Sequence, residues 1–322
     1  MVGSNTGRAA KTMTLIQAVP NVSEGRRHDV VARLVDSVQN SPGSRLLDCS
    51  SDPSHNRTVL TIVGDPRALT EALLILYDVA IELIDVTIHQ GEHPRIGTVD
   101  VLPFVPIRNV SIDDCVTLAK EFGKTVANRY GIPVYLYECA ATRPERRALE
   151  SIRRGQLEGL TKRMNKGIWQ PDFGPSSPHP TAGVSAIGAR QTLIAFNVNL
   201  ETGDMKIASR IARTVRARDG GLPHVKAIPV RLIDQTRVQV SMNLTDYTRT
   251  PIHRVFKLVK REATKRGVKI AESELVGLIP AEALIASAVS TLKITKFRPD
   301  QVLDAQIAEW DADPAGSLSG ER

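Results

Sequence analysis

Hydrophobic periodicity along this chain switches between two and about 3.6 residues in a fixed order, and it does so twice. Thr14–Val19 reads as a strand, Val30, Val31, Leu34, Val35 and Val38 form a helical stripe ended by Pro42-Gly43, and Arg45–Cys49 and Thr58–Val63 read as two further strands. A helix opened by Pro66 runs to about Leu83, followed by a strand over Thr98–Phe104, a helix over Ile112–Tyr130 and a strand over Val134–Tyr137. From Thr192 the order recurs: strand to Val198, helix Met205–Arg218, strands Val225–Ile233 and Arg237–Met242, helix Pro251–Arg266, strand Leu275–Ile279, and a helix from Ala281. The spacing therefore predicts an α+β chain of two ferredoxin-like (βαββαβ) subdomains, with mixed or antiparallel sheets covered by helices. A doubly wound sheet is excluded.

Length agrees with that division, since 322 residues fit two domains. We expect a disordered tail over 1–13, a first subdomain over 14–190, a second over 191–295 and a C-terminal tail over 296–322. Three scattered cysteines (Cys49, Cys115, Cys139) exclude a disulfide scaffold and a cysteine zinc knuckle and fit a reducing compartment. No apolar run approaches the roughly 18 residues of a membrane span, and Met1–Met13 lacks the apolar centre of a secretory signal. A cytoplasmic protein with no membrane partner is expected.

The net charge of +7 is unevenly placed, with 16 basic and four acidic residues between Lys206 and Lys269. Such a block invites a nucleic-acid reading, but only Tyr247 and Phe256 fall within it, too few to interleave it as a base-stacking platform would require. Its basic residues alternate with helical apolar stripes, so a solvated helix face is expected and no nucleic-acid partner. The remaining role for the block would be guidance of an acidic ligand.

Chemistry concentrates in loops. His89-Gln90-Gly91-Glu92-His93-Pro94-Arg95 contains the H-x-x-E-H spacing of one zinc peptidase group. That use needs a helix, which Gly91 and Pro94 oppose, so no metal is expected. A loop holding one imidazole is the better reading, because a histidine takes and returns a proton near neutrality. Asp48, Ser50, Ser51, Asp52, His55, Asn56 and Arg57 cluster at a turn, where Asn56 and Arg57 could grip a carboxylate or a pterin edge. Pro20–Gly25 forms a third polar loop, with Ser23 a candidate helix cap. All three follow strands and could converge on one face. Gly167–Ala189 is rich in proline and glycine yet keeps Trp169 and Phe173, which suits a ligand-binding loop between the domains. Phosphate loops, dinucleotide fingerprints and nucleophile elbows are missing from the sequence.

Several long motifs in one order carry a resemblance: Val19-Pro20-Asn21-Val22-Ser23-Glu24-Gly25, His55-Asn56-Arg57-Thr58-Val59, Gly91-Glu92-His93-Pro94-Arg95-Ile96-Gly97 with Asp100-Val101, and Pro171-Asp172-Phe173-Gly174-Pro175. Leu193–Leu200, Gln239–Asn243 and Glu274–Pro280 continue it. Together they resemble the formiminotransferase domain, which in animals is fused to a cyclodeaminase, over about Leu15 to Leu292. The resemblance implies transfer of a formimino group between N-formimidoyl-L-glutamate and tetrahydrofolate in histidine degradation, with tetrahydrofolate as co-substrate, and a homodimer. It implies His93 as the catalytic histidine and Gly174, Pro175, Ser176, Ser177, Pro178, His179, Pro180, Thr181, Ala182 and Gly183 as the folate-binding stretch. Asn56, Arg57 and Arg95 are the expected substrate-binding residues. Ser50 and Thr98 depart from the animal pattern, leaving formyl transfer from N-formylglutamate or 5-formyltetrahydrofolate, or folate binding without catalysis, as alternatives.

Overall fold

Proline breaks the first strand in two. In the computed structural model, which describes residues 14–53, 55–91, 94–232 and 236–312, β1 (Leu15–Ala18) and β2 (Asn21–Val22) flank Val19-Pro20. Pro20 has no N–H for a ladder, yet its carbonyl accepts from Leu60 N at 3.0 Å, so pairing resumes beyond it. There follow α1 (His28–Gln39), β3 (Ser44–Asp52), β4 (Arg57–Gly64), α2 (Pro66–Leu83), β5 (Val99–Arg108), α3 (Ile112–Tyr130) and β6 (Val134–Glu138). Two short helices, α4 (Leu149–Ile152) and α5 (Gln156–Thr161), lead on to β7 (Ser185–Ala189). The broken strand pairs antiparallel with both β4 and β5, and β3 pairs with β4. That is the ferredoxin-like order, extended from β5 by β7 and then β6 in parallel.

Local chemistry sets the ends of these helices. Asp65 Oδ1 accepts from Arg67 N and Ala68 N at the start of α2, and Ser111 and Asp114 form a capping box at α3. Leu34, Leu69, Leu73, Leu76 and Phe122 from α1–α3 meet Ile16, Leu60, Ile62 and Phe104 of the sheet in one buried core. A second core, with Val86, Ile96, Tyr135, Ile152, Leu160 and Val184, covers the other face beside β5, β6 and β7. Helices therefore sit on both faces at that end.

The structure corrects the reading of Gly167–Ala189 as loop throughout. Its last residues, Ser185–Ala189, are β7, buried along its whole length between two parallel neighbours. Apart from Ile187 the run is of small residues, and at Gly188 the neighbour presses close: a Cβ there would lie 2.6 Å from the Tyr137 carbonyl oxygen.

In the second unit β8 (Ile194–Leu200), α6 (Met205–Val215), β9 (Val225–Arg231), β10 (Val238–Leu244), α7 (Ile252–Thr264) and β11 (Ile270–Val276) form an antiparallel sheet of order β11-β8-β10-β9. This is the expected βαββαβ unit, with β11 starting five residues before the predicted strand. Its polar Ala271-Glu272-Ser273-Glu274 run concealed a strand whose partner is β8. Gly277, at φ 73°, follows its end. Next come α8 (Ala281–Leu292) and α9 (Leu303–Ala312), the latter inside the stretch read as a tail. The N-terminal tail expected over 1–13 lies outside the described residues. Helices α6 and α7 cover the sheet face bearing Phe196, Val198, Val240 and Met242. On the other face, Lys226 Nζ reaches Glu150 at 2.9 Å and Glu138 at 3.5 Å, tying the units together.

Candidate active site

The three polar loops converge. Asn56 Oδ1 accepts from Gly25 N at 2.9 Å, and its Nδ2 donates to the Gln90 carbonyl at 3.0 Å. Ser23 Oγ donates to the Gly97 carbonyl at 2.7 Å, and Thr58 Oγ1 to the Glu24 carbonyl at 2.6 Å. The contacts are too close for side chains. A Cβ on Gly25 would meet Arg57 N at 2.6 Å, one on Gly91 the His55 carbonyl oxygen at 2.2 Å, and one on Gly97 the Val184 carbonyl oxygen at 1.8 Å. Glycine at these positions is required by proximity.

Ser23 is not the helix cap expected of it, because its hydroxyl is drawn to Gly97. No side chain caps α1; Glu24 instead ties the turn before it, one carboxylate oxygen accepting from the N–H groups of Gly25, Arg26 and Arg27, and the other from Arg27 Nε. Burial alone would push this carboxyl up, but the backbone donors and Arg27 outweigh it and hold it below the usual carboxylate range.

His93 lies outside the described residues, and hydrogen bonds hold the chain at Gln90 and at Arg95. Among the described residues, 85–91 and 94–98 contain no helix, which is what the zinc spacing would need. His89 Nε2 donates to the Asn56 carbonyl at 2.8 Å. Arg95 is buried, and its guanidinium fork meets Glu158 on α5 at 2.8 and 3.0 Å. In this structure Arg95 anchors its loop to α5 through Glu158. Ile96 N donates to Asp100 Oδ1 at 2.7 Å, and Arg153 pairs with the other oxygen of Asp100. Arg57 stands near that pair. Burial pushes its guanidinium down to about 10, Arg153 pushes the same way, and Asp100 and Asp52 oppose. Asp52 in turn caps the β3–β4 turn, accepting from His55 N at 3.0 Å and pairing with its ring.

The Gly174–Gly183 stretch reaches the same place. Gly183 bridges Gly97, Val86 N donates to the Thr181 carbonyl at 2.8 Å, and Thr98 N to that of Ala182 at 2.9 Å. His179 Nδ1 accepts from Thr181 N and Ala182 N, so it holds a turn as a neutral ring, and burial lowers its pKa. At the other end Gly174 takes φ 86°, and Asp172 is buried against Arg146, Thr142 and Leu136 N. Sequence reasoning missed Asp100, Arg153, Glu158 and Glu24 as parts of this framework. Asp100 and Glu24 lay inside recognised motifs, whereas nothing local distinguishes Arg153 or Glu158.

A loop-built site on a two-unit α+β scaffold defines the class. The formiminotransferase N-terminal subdomain model matches residues 15–190, and the formiminotransferase domain model matches 195–298. A Streptococcus pyogenes protein named glutamate formimidoyltransferase is 45% identical over 283 residues, covering 88% of this chain and 95% of its own length. One of the same name from Thermoplasma acidophilum is 46% identical, covering 92% and 98%. The Rattus norvegicus formimidoyltransferase-cyclodeaminase is 42% identical over 85% of this chain, which spans 52% of it. The chain belongs to the formiminotransferase family and is a transferase.

Proposed function

We propose that the protein moves a formimino group between N-formimidoyl-L-glutamate and tetrahydrofolate, a step of histidine degradation, with His93 as general acid and base. The observation carrying this reading is the joining of the His89–Gly97 loop to the Gly174–Gly183 stretch through Gly97, Thr98 and Gly183. It would bring the proton-transferring imidazole and the folate to one place. The attacking amine must lose a proton, and the departing nitrogen must gain one. A single imidazole between them serves both, worth about 10²–10⁴-fold. Holding two substrates in one loop cluster supplies much of the rest. Arg57, beside Arg153, is the group we assign to a substrate carboxylate.

The test is a paired assay offering tetrahydrofolate with formimidoylglutamate or formylglutamate while following the folate spectrum. Turnover with the formimidoyl donor is expected; turnover with the formyl donor alone would reassign the transferred group. No turnover with either, alongside folate binding, would remove the enzymatic reading.

The same reading makes the protein a cytoplasmic homodimer. Free thiols at Cys49, Cys115 and Cys139 support the compartment. Exposed Leu275, Leu278, Leu284 and Leu292, on or beside an α8 that buries only Ala283, support the pairing. Sedimentation should return twice the 35.1 kDa chain mass; a monomer at micromolar concentration would refute it.

A further inference from the structure

We propose that Asn56 and His89 are positioning residues that set the loop carrying His93, acting through the shape of that loop. The proposal rests on the reading of His93 given above. Asn56 occupies the left-handed region at φ 49°, where asparagine is among the few residues held readily. In that conformation it joins three segments. Its Oδ1 accepts from Gly25 N, its Nδ2 donates to the Gln90 carbonyl, and its own carbonyl accepts from His89 Nε2 at 2.8 Å. A carbonyl only accepts, so His89 carries its proton on Nε2. The other ring nitrogen, Nδ1, is enclosed and has no hydrogen-bond partner among the described residues.

The far end of the loop is fixed independently. Asp100 holds Ile96 N at 2.7 Å, and Glu158 holds Arg95 through both fork nitrogens. Gln90 and Arg95 are thus two held posts five residues apart in sequence, and Gly91 rests against the His55 carbonyl. Chain length alone limits how far His93, which lies outside the described residues, can stand from either post. Asn56 and His89 form the near post. Both functional groups of the Asn56 amide face protein, which suits a residue that shapes the loop better than one that holds substrate.

Asn56→Gly tests this, since glycine keeps the left-handed backbone and removes only the side-chain bonds. We expect kcat to fall at least tenfold, KM for each substrate to stay within twofold, and amide hydrogen exchange over residues 90–97 to quicken at least tenfold. His89→Ala should do the same, while His89→Gln, whose amide can still donate to the Asn56 carbonyl, should recover to within threefold of the parent. A raised KM for the glutamyl substrate with unchanged kcat and unchanged exchange would overturn the proposal and make Asn56 a substrate contact. Unaltered exchange alongside lost turnover would overturn it as well. If the parent protein shows no transfer at all, the functional reading fails, and the exchange measurement still decides the positioning role.

Discussion

His93 stands between glycines that cannot be enlarged, two residues after Gly91 and four before Gly97. The approach of Gly97 to the Val184 carbonyl leaves no room even for a methyl group. Gly97→Ala is expected to lower the unfolding free energy by about 1–3 kcal/mol or more and to disturb the site. Gly131→Ala is the contrast. That residue sits at φ 67° after α3 with open space around it, so only conformational strain of about 1–2 kcal/mol applies. Urea unfolding of the two variants separates crowding from strain. At the reacting group, His93→Gln should reduce turnover by about 10²–10⁴-fold while leaving tetrahydrofolate binding within twofold. Near-normal turnover in that variant would remove His93 from the mechanism.

At the level of elements, the turn that leads into the first helix depends on a carboxylate of its own. Glu24 bonds three successive backbone N–H groups, those of Gly25, Arg26 and Arg27, just before α1 begins at His28. Glu24→Gln keeps an acceptor but loses the charge, so it is expected to cost about 1–2 kcal/mol near neutral pH. The pH dependence follows from the lowered folded pKa. The unfolded carboxyl takes up its proton first as pH falls, so the charge-dependent part is complete above the ordinary 4.5 and is lost as pH drops through the lower folded value. The stability difference between parent and variant, followed by urea unfolding from pH 7 downward, should hold until about that point and then shrink. A constant difference across the range would show that the charge is not what matters.

Across the whole molecule, the basic block is divided by the fold. Lys206, Arg210, Arg213, Arg254, Lys257 and Arg261 are exposed along α6 and α7, which cover the second sheet on the side away from the first unit. Lys226, on the opposite face, is the one that reaches Glu138 and Glu150. Charge reversal at Lys257 and Arg261 is therefore expected to leave KM for a polyglutamylated folate within twofold at physiological salt. A large, salt-dependent rise would mean that these helices guide the ligand. The sheet face that bears Lys226 carries a different chemistry: Asn197 and Gln239 donate to Glu274, and Asn199 to Glu272. Three of the recognised motifs thus place their polar residues in register on one surface.

What could be read from the sequence is what local physics controls. The order of elements follows from periodicity, the start of α2 from Asp65-Pro66, and the positions of the polar loops from residues that favour turns. The motif order was enough to name the family. Tertiary structure alone decided β7, whose small residues look like loop until two parallel neighbours enclose them. It also decided the use of individual side chains. Ser23 turned from capping to Gly97, 74 residues away, and Arg95 turned to Glu158, 63 residues away. Asn56 bonds chain segments 31 and 34 residues distant from it. A side chain's type states which bonds it can make, whereas the backbone brought beside it by folding determines which of them form.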